Sequence, residues 1–403
     1  MSTTWPTRIP YSRPTPAPIA VDGTAIANLG HSHHVHACEA LLQKHSGGAQ
    51  VLMTPSCTAA LEMTSLALAL GPEDEVILPS FTFVTTASAF ALRGAKLKFV
   101  DIDPVTLNID IEAACNAITP ATKAIVVVHY AGVACDLSRL QAALTGSGII
   151  IIEDAAQGIG ASYHGQPLGS IGHFGCLSFH HTKNIHAGGE GGALMVRDGN
   201  WANAMEIVQE KGTDRSRFLR GEVDKYTWQK LSSSYVMADI QGMILLPQLR
   251  NISTLTNRRL SLWNTYRNNL QPLTTLGIRL PEIPPECAHN GHIFHLRLPT
   301  GDLRDRALAE LRRHNIEATS HYVPLHSTPA GLRYGVFCGN DRHTTDSASR
   351  LIRLPIFDEL TIDEQNYICE MTTRICDQLL AGRSGTTKLE PRDPPMADSQ
   401  ARL

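Results

Sequence analysis

The segment FHHTKNIHAGGEGG (179–192) sets one lysine, Lys183, among four glycines and several hydrogen-bonding side chains. Glycine offers nothing to pack and gives up the most backbone entropy on folding, so such a cluster marks strained turns or a ligand lying against backbone. A lone lysine is ordinarily a solvated surface charge. Here the neighbours point to chemistry: a primary amine can form a Schiff base with an aldehyde cofactor, and pyridoxal phosphate is such a cofactor. It needs a carboxylate on its ring nitrogen, a cradle for its phosphate and a flat group against its face, and the chain offers candidates for each.

IIIIEDAAQ (149–157) carries Glu153, Asp154 and, three residues on, Gln157. An acid at the end of a buried strand would keep a pyridine nitrogen protonated, which makes the ring an electron sink. The plainer reading of Asp154 is a helix N-cap. TPSCTAALE (54–62) reads as strand, tight polar turn and helix start, where Cys57 and Thr58 would present free amides to a phosphate; taken alone it is also a capping motif. Ser178, five residues before Lys183, is a second phosphate donor. PSFTFVTTA (79–87) places Phe81 and Phe83 after another apolar run, where a ring could stack on the cofactor or simply fill the core.

Positioning these groups requires a particular scaffold. QVLMT, EVILPS, KLKFVDI, KAIVVVHY and GIIIIEDA are apolar runs of strand length, and segments with helical spacing, TAALEMTSLALAL and VTTASAFALRG among them, lie between. FGCLSFHH and GALMV read as strands flanking the lysine segment. This alternation predicts an α/β fold with a mostly parallel sheet covered on both faces, its site at the carboxyl ends of the strands. A long helical periodicity (237–273) leads out of that unit, and IFHLRLP, RDRALAELRRHN, IEATSHY and a helix near 362–381 predict a smaller α+β unit. The expected division is an N-terminal segment (1–24), a large cofactor-binding domain (25–250), a small C-terminal domain (251–382) and a polar, proline-bearing tail (383–403).

At 403 residues with 43% hydrophobic composition, two domains are expected. A formal net charge of −3, without a long run of Lys and Arg, leaves no footprint for nucleic acid. Nine scattered cysteines, an odd number with no C-x-x-C pair, fit neither a disulfide framework nor a zinc ribbon and predict a reducing compartment. The polar, proline-rich start lacks an apolar signal core, and no segment reaches the roughly 18 apolar residues of a membrane span. A soluble cytoplasmic protein is expected.

SCTAALEM, ILPSFTFVTTASAFALRGAKLKFVDIDPVTLNID, VHYAGVACD, EDAAQGIG, GCLSFHHTKNIHAGGEGGAL, DKYTW and HYVPLH together resemble the DegT/DnrJ/EryC1/StrS family of sugar-nucleotide aminotransferases, over about 49–380. The resemblance is nearest to the branch that makes dTDP-4-amino-4,6-dideoxygalactose. It implies fold type I of the pyridoxal-phosphate enzymes, a homodimer with shared active sites, and transfer of the amino group of L-glutamate to dTDP-4-keto-6-deoxyglucose. It further implies that Lys183 holds the cofactor, Asp154 pairs with the pyridine nitrogen and Gln157 sits by the phenolic oxygen. Cys57, Thr58 and Ser178 would hold the phosphate, and Phe83 would stack. Ser234 would stand where many relatives carry an asparagine that reaches the neighbouring subunit's phosphate.

For the substrate, EKGTDRSRFLRGEVDKYTW (210–228) brings Lys211, Arg220 and Tyr226, with Arg215, Arg217 and Lys225, toward a diphosphate; a solvated charged loop is the plain alternative. SHYVPLH brings His321, Tyr322 and His326, for which core or hinge roles are equally open. Relatives carry a helix before ACEALLQKH that the N-terminal stretch here is too short to hold. The cluster HSHHVHAC (31–38) invites a metal, but His33, His34 and His36 lie too close together and no distant ligand set completes a site. GIGASYHG lacks the dinucleotide fingerprint. A dehydratase branch of the family replaces the lysine by histidine, and position 183 is lysine. Other regio- or stereochemistry of amination, and a non-catalytic regulator keeping the fold, stay open as alternatives.

Overall fold

The computed structural model describes residues 8–16 and 32–381. The tail at 383–403, His31 and the shortened N-terminal stretch at 17–31 lie outside the described residues.

The apolar runs form one eight-stranded sheet. In chain order its strands are β1 (Gln50–Thr54), β2 (Glu75–Pro79), β3 (Lys96–Val100), β4 (Thr122–Val128), β5 (Ile150–Ala155), β6 (Phe174–Ser178) and β7 (Gly192–Val196). Two further strands of the C-terminal half, β8 (Phe294–Arg297) and β10 (Leu351–Leu354), make a separate antiparallel pair, and β9 (Gly335–Phe337) lies between them in sequence. The large sheet runs β1-β7-β6-β5-β4-β2-β3-β9. All its pairings are parallel except those of β7, which runs antiparallel to both β1 and β6. The near-continuous apolar character of the strands follows from burial on both faces. Val51 and Met53 of β1 join one core with Ile77, Val127 and Ile151, while Leu52 joins another with Leu78, Val126 and Ile152. That is the two-residue alternation of a strand sandwiched between layers.

Helix α1 (His33–His45) precedes β1, α2 (Cys57–Ala67) follows it, and α3 (Val84–Ala91) follows β2. The long periodicity at 237–273 divides into α4 (Asp239–Arg250) and α5 (Ile252–Leu270). Pro247 lacks the amide to continue the ladder of α4, and Asn251 Nδ2 donates to the Pro247 carbonyl at 2.9 Å, which ends the first helix. Helices α5, α6 (Gly301–Arg313) and α7 (Ile362–Ala381) enclose a third core with the β8–β10 pair, built on Leu262, Tyr266, Phe294, Leu311, Leu354 and Ile368.

Two connections depart from a simple sequential division. Ile9, 1% exposed, bridges Ile316 and packs in that third core. β9, from the C-terminal half, adds to the large sheet parallel to β3, with Gly335 opposite Leu97. A side chain at 335 would meet the Leu97 carbonyl at 2.8 Å, so glycine permits the approach. Asp101 fastens the chain after β9 by accepting from the amides of Arg342, His343 and Thr344 and from the Thr344 hydroxyl.

Glu153 of β5 is fully buried and its partners are all donors: the amides of Gly169, Ile171 and Gly172 at 2.6–2.8 Å, and His129 Nε2 at 2.8 Å. Because His129 Nδ1 accepts from the Cys135 amide, its Nε2 carries the proton. Glu153→Gln would turn an amide NH₂ toward two donors. A loss of about 2–4 kcal/mol in stability is expected, read as a lowered thermal midpoint, because buried donors would be left unpaired.

Candidate active site

The carboxyl ends of β1, β4, β5 and β6 open on a cavity of about 490 Å³, within the size range of small-molecule sites. Cys57, Thr58, Phe83, Asp154, Gln157, Ser178, Lys183, His321 and Tyr322 line it together. They come from five separate stretches of chain.

Lys183 follows β6 in a turn whose amide donates to the His180 carbonyl at 2.9 Å. The segment returns through Ala187 and Gly191, both hydrogen-bonded to Phe179, and Gly188 takes φ +85° at the bend. Gly192 faces the start of α2, where a Cβ would meet the Cys57 amide nitrogen at 2.5 Å. Two of the four glycines thus serve the turn and the seating of α2. Among the described residues no side chain hydrogen-bonds or ion-pairs with Lys183 Nζ. Desolvation lowers its pKa below the ordinary lysine value, while Cys57 and Asp154 pull the other way. The result favours a free amine more than an exposed lysine would.

Asp154 is the last residue but one of β5 and is 5% exposed. Its Oδ2 accepts from the Thr86 hydroxyl at 2.6 Å and its Oδ1 from the Ala156 amide at 3.1 Å. Thr86 is tied in turn to the Thr82 hydroxyl at 2.8 Å. The carboxylate is therefore fixed in direction, and among the described residues it caps no helix.

At the other end of the cavity, Ser56 caps α2 by accepting from the Ala59 amide, and the first helical bond is Ala60 N–H to the Ser56 carbonyl. The amides of Cys57 and Thr58 have no partner among the described residues. They make an anion seat at a helix N-terminus, joined by Ser178, whose Oγ accepts from the His180 amide at 3.3 Å.

Gln157 Oε1 accepts from the Ala131 amide at 2.6 Å and its Nε2 donates to the Tyr322 hydroxyl at 3.0 Å. Burial pushes that phenol up to about 12, so it stays protonated. Phe83 is 55% exposed at the cavity mouth, while Phe81 is core, 1% exposed against Tyr130 and Tyr322. His321 stacks on Tyr322 with ring centroids 3.9 Å apart.

Other expected residues stand elsewhere within this chain. His326 Nδ1 meets Ser80 Oγ at 2.7 Å and its Nε2 meets Asp341 at 3.3 Å, away from the cavity. Ser80 is fully buried, so this serine–histidine–aspartate chain is a fastening and not a nucleophile site. Lys211 pairs with Glu210 at 3.5 Å, and Arg220 with Glu206 and Glu222. Tyr226 is half-exposed beside Phe218, and Ser234 is exposed and bridges Glu210. None of these lines the cavity of its own chain. On α1, His34 is held by Asp239 at 2.8 Å and His36 by Glu39 at 3.0 Å. Among the described residues no group of three metal-ligating side chains converges, and no helix is long and apolar enough to cross a membrane.

Sequence reasoning missed Tyr11, Thr82, His292 and Arg353, which also line the cavity, and Thr86 behind Asp154. Only Arg353 left a signal, a charge inside the apolar strand LIRL.

The donor set fits pyridoxal phosphate on this geometry: an unpartnered amine, an oriented buried carboxylate and an open helix N-terminus share one cavity. The comparisons agree. The family model for the DegT/DnrJ/EryC1/StrS aminotransferases matches residues 22–373. A pleiotropic regulatory protein of Geobacillus stearothermophilus is 33% identical over 77% of this chain and 81% of its own. The spore coat polysaccharide biosynthesis protein SpsC of Bacillus subtilis is 30% identical over 80% and 85%. Among solved structures, the putative sugar aminotransferase Spr1654 of Streptococcus pneumoniae in its PMP-form superposes with a TM-score of 0.82 at 25% identity, covering 94% of this chain and 100% of that one. The chain belongs to the DegT/DnrJ/EryC1/StrS aminotransferase family, pyridoxal-phosphate-dependent enzymes of fold type I.

Proposed function

We propose that this chain transfers the amino group of L-glutamate to C4 of dTDP-4-keto-6-deoxyglucose, giving dTDP-4-amino-4,6-dideoxygalactose and 2-oxoglutarate. The observation that carries the reading is the placement of Lys183 and Asp154 in one cavity with the open N-terminus of α2. Pyridoxal phosphate, when bound, supplies an aldehyde that takes up an amine and a pyridine ring that draws electrons from the amine's α-carbon.

Each residue then has a task. Lys183 would hold the cofactor, and its amine would serve toward the donor's α-carbon as general base and then as general acid. Asp154, aimed by Thr86, keeps the ring nitrogen protonated. The Cys57 and Thr58 amides and the Ser178 hydroxyl seat the phosphate. Phe83 at the mouth would stack on the ring, and Gln157, with Tyr322 behind it, would stand by the phenolic oxygen. Two half-reactions through one site predict ping-pong kinetics.

Exposed Phe218, Leu219, Tyr226, Trp228 and Leu231 cluster in the chain segment that also carries Lys211, Arg220 and Ser234. In the proposed homodimer this segment covers the neighbour's cavity and there serves the sugar nucleotide and the phosphate. Nine free cysteines support a reducing, cytoplasmic setting.

The test is incubation of the purified protein with L-glutamate and dTDP-4-keto-6-deoxyglucose, with NMR of the product. An axial C4 amine is expected; an equatorial amine, or amination at C3, would replace the substrate reading. The name of the Geobacillus relative favours a second reading, a regulator on the same fold. A purified protein without a cofactor absorption band that responds to L-glutamate would support that alternative.

A further inference from the structure

We propose that His292 is a positioning residue for Lys183: its Nε2 accepts a hydrogen bond from the Lys183 ammonium and holds that group in place between the uptake of a proton and its return. This rests on the aminotransferase reading above, and it supplies the partner which that reading leaves Lys183 without.

The ring is held by a buried polar frame that fixes where its proton sits. Asn290, fully buried, donates through Nδ2 to the Gln157 and Ile159 carbonyls at 2.7 and 2.8 Å, so Oδ1 is the atom that accepts from the His292 amide at 3.0 Å. Gly132 leaves room for that oxygen, since a Cβ there would meet it at 2.0 Å. Asn184, the chain neighbour of Lys183, donates through its own Nδ2 to the Asn290 carbonyl at 3.1 Å. Its Oδ1 therefore faces His292 Nδ1, 2.7 Å away, and an amide oxygen only accepts. The ring proton is on Nδ1, and Nε2 is a bare lone pair. Arg259 of α5 completes the frame by donating to the His292 carbonyl at 3.0 Å.

A histidine that only fastens structure has both nitrogens satisfied, as His186 does between the Gly188 amide and the Thr15 carbonyl. His292 differs. It is 5% exposed and lines the cavity with Lys183, yet among the described residues nothing hydrogen-bonds to Nε2. Burial, and after it the charge of Lys183, ahead of those of Arg259, Arg353 and His321, holds the imidazole neutral. A neutral acceptor steadies an ammonium without the counter-charge that would lock it as an ion pair. The acids of the cavity suit this task less. Asp154 is tied to Thr86 and Ala156, and Glu190 is exposed, 3.7 Å from His180 Nε2.

The experiment compares the full-length parent with His292→Asn and His292→Gln. Asn can still donate to Asn184 Oδ1 from the place of Nδ1 but has no atom at Nε2, whereas Gln reaches that place with an acceptor. Cofactor-free protein is acetylated with acetic anhydride over a pH series, and the peptide carrying Lys183 is read by mass spectrometry. An acceptor beside Nζ favours the ammonium, so its loss lets the Lys183 pKa fall further. The labelling midpoint should drop by about one pH unit in H292N and return at least halfway in H292Q. Cys57, Asp154, Glu190 and Arg353, the other groups that act on Lys183, are the same in all three proteins. In stopped-flow with L-glutamate, loss of the pyridoxal-phosphate absorption should slow about tenfold in H292N, with the half-saturating concentration unchanged. Equal midpoints in the three proteins, a midpoint that rises in H292N, or a change in L-glutamate saturation with no change in maximal rate would overturn the assignment. If the parent takes up no pyridoxal phosphate, the aminotransferase reading fails while the labelling still reports on the pair. If the parent is active and H292N matches it in midpoint and rate, only this inference fails.

Discussion

Lys183→Ala is expected to remove turnover, by about 10⁴-fold or more in kcat, since one change deletes both the covalent holder and the proton-transfer group. The fold should survive, because among the described residues nothing is hydrogen-bonded to Nζ and the turn is held by backbone bonds at His180, Phe179 and Gly191. The thermal midpoint of the variant should therefore stay near that of the parent. Borohydride should fix the cofactor to the peptide carrying Lys183 in the parent and to none in the variant. Lys183→Arg is the informative companion: it keeps the positive charge but has a pKa too high to act as a base, so it should be as inactive as alanine. Desolvation lowers the Lys183 pKa, so the free amine begins to form at lower pH than for an exposed lysine, and the acid limb of the pH–rate profile should lie correspondingly lower. Full activity in K183A would end the account of this site.

How far the sequence foretells such a site depends on how local each cause is. Strand and helix positions were legible because a buried parallel strand must be apolar along its whole length, as in Ile150–Ala155 and Thr122–Val128. Lys183, Asp154 and Cys57 were legible because each ends or follows a strand in a stretch whose composition is odd for a core. Thr86 and Arg353 were not. Thr86 reaches Asp154 across 68 residues of sequence, and Arg353 enters the cavity only because β10 pairs with β8 and packs the second unit over the first. No periodicity encodes a contact between units. The loop cations show the converse: Lys211 and Arg220 form a conspicuous basic cluster in sequence, yet the neighbouring glutamates that pair with them are equally visible there. His326 was read with Tyr322 because they share a short motif, but past Pro324 the chain turns to Ser80, which Leu325 and His326 both hydrogen-bond.

The second large effect separates two adjacent acids. Asp154→Asn is expected to lower kcat about 10³-fold, the scale on which one directed electrostatic partner acts in a closed site. Cofactor should still be retained through Lys183 and the seat at α2. The stability cost should be small: Asn Oδ1 can accept from the Ala156 amide, and the Thr86 hydroxyl can turn to accept from the new NH₂. Thr86→Val leaves the charge but frees its direction, and should cost roughly tenfold in kcat with the pH profile unmoved. Glu153, one residue earlier, points to the opposite face of β5 and is saturated by three amides and His129. E153Q should therefore unfold the protein at a lower temperature while the folded fraction keeps its turnover. Alternation along a strand makes these outcomes opposite by necessity: of two neighbouring carboxylates, one can face the cavity and the other must be buried with donors. If D154N melted early and E153Q were catalytically dead at an unchanged midpoint, the roles assigned to the two faces of β5 would have to be exchanged.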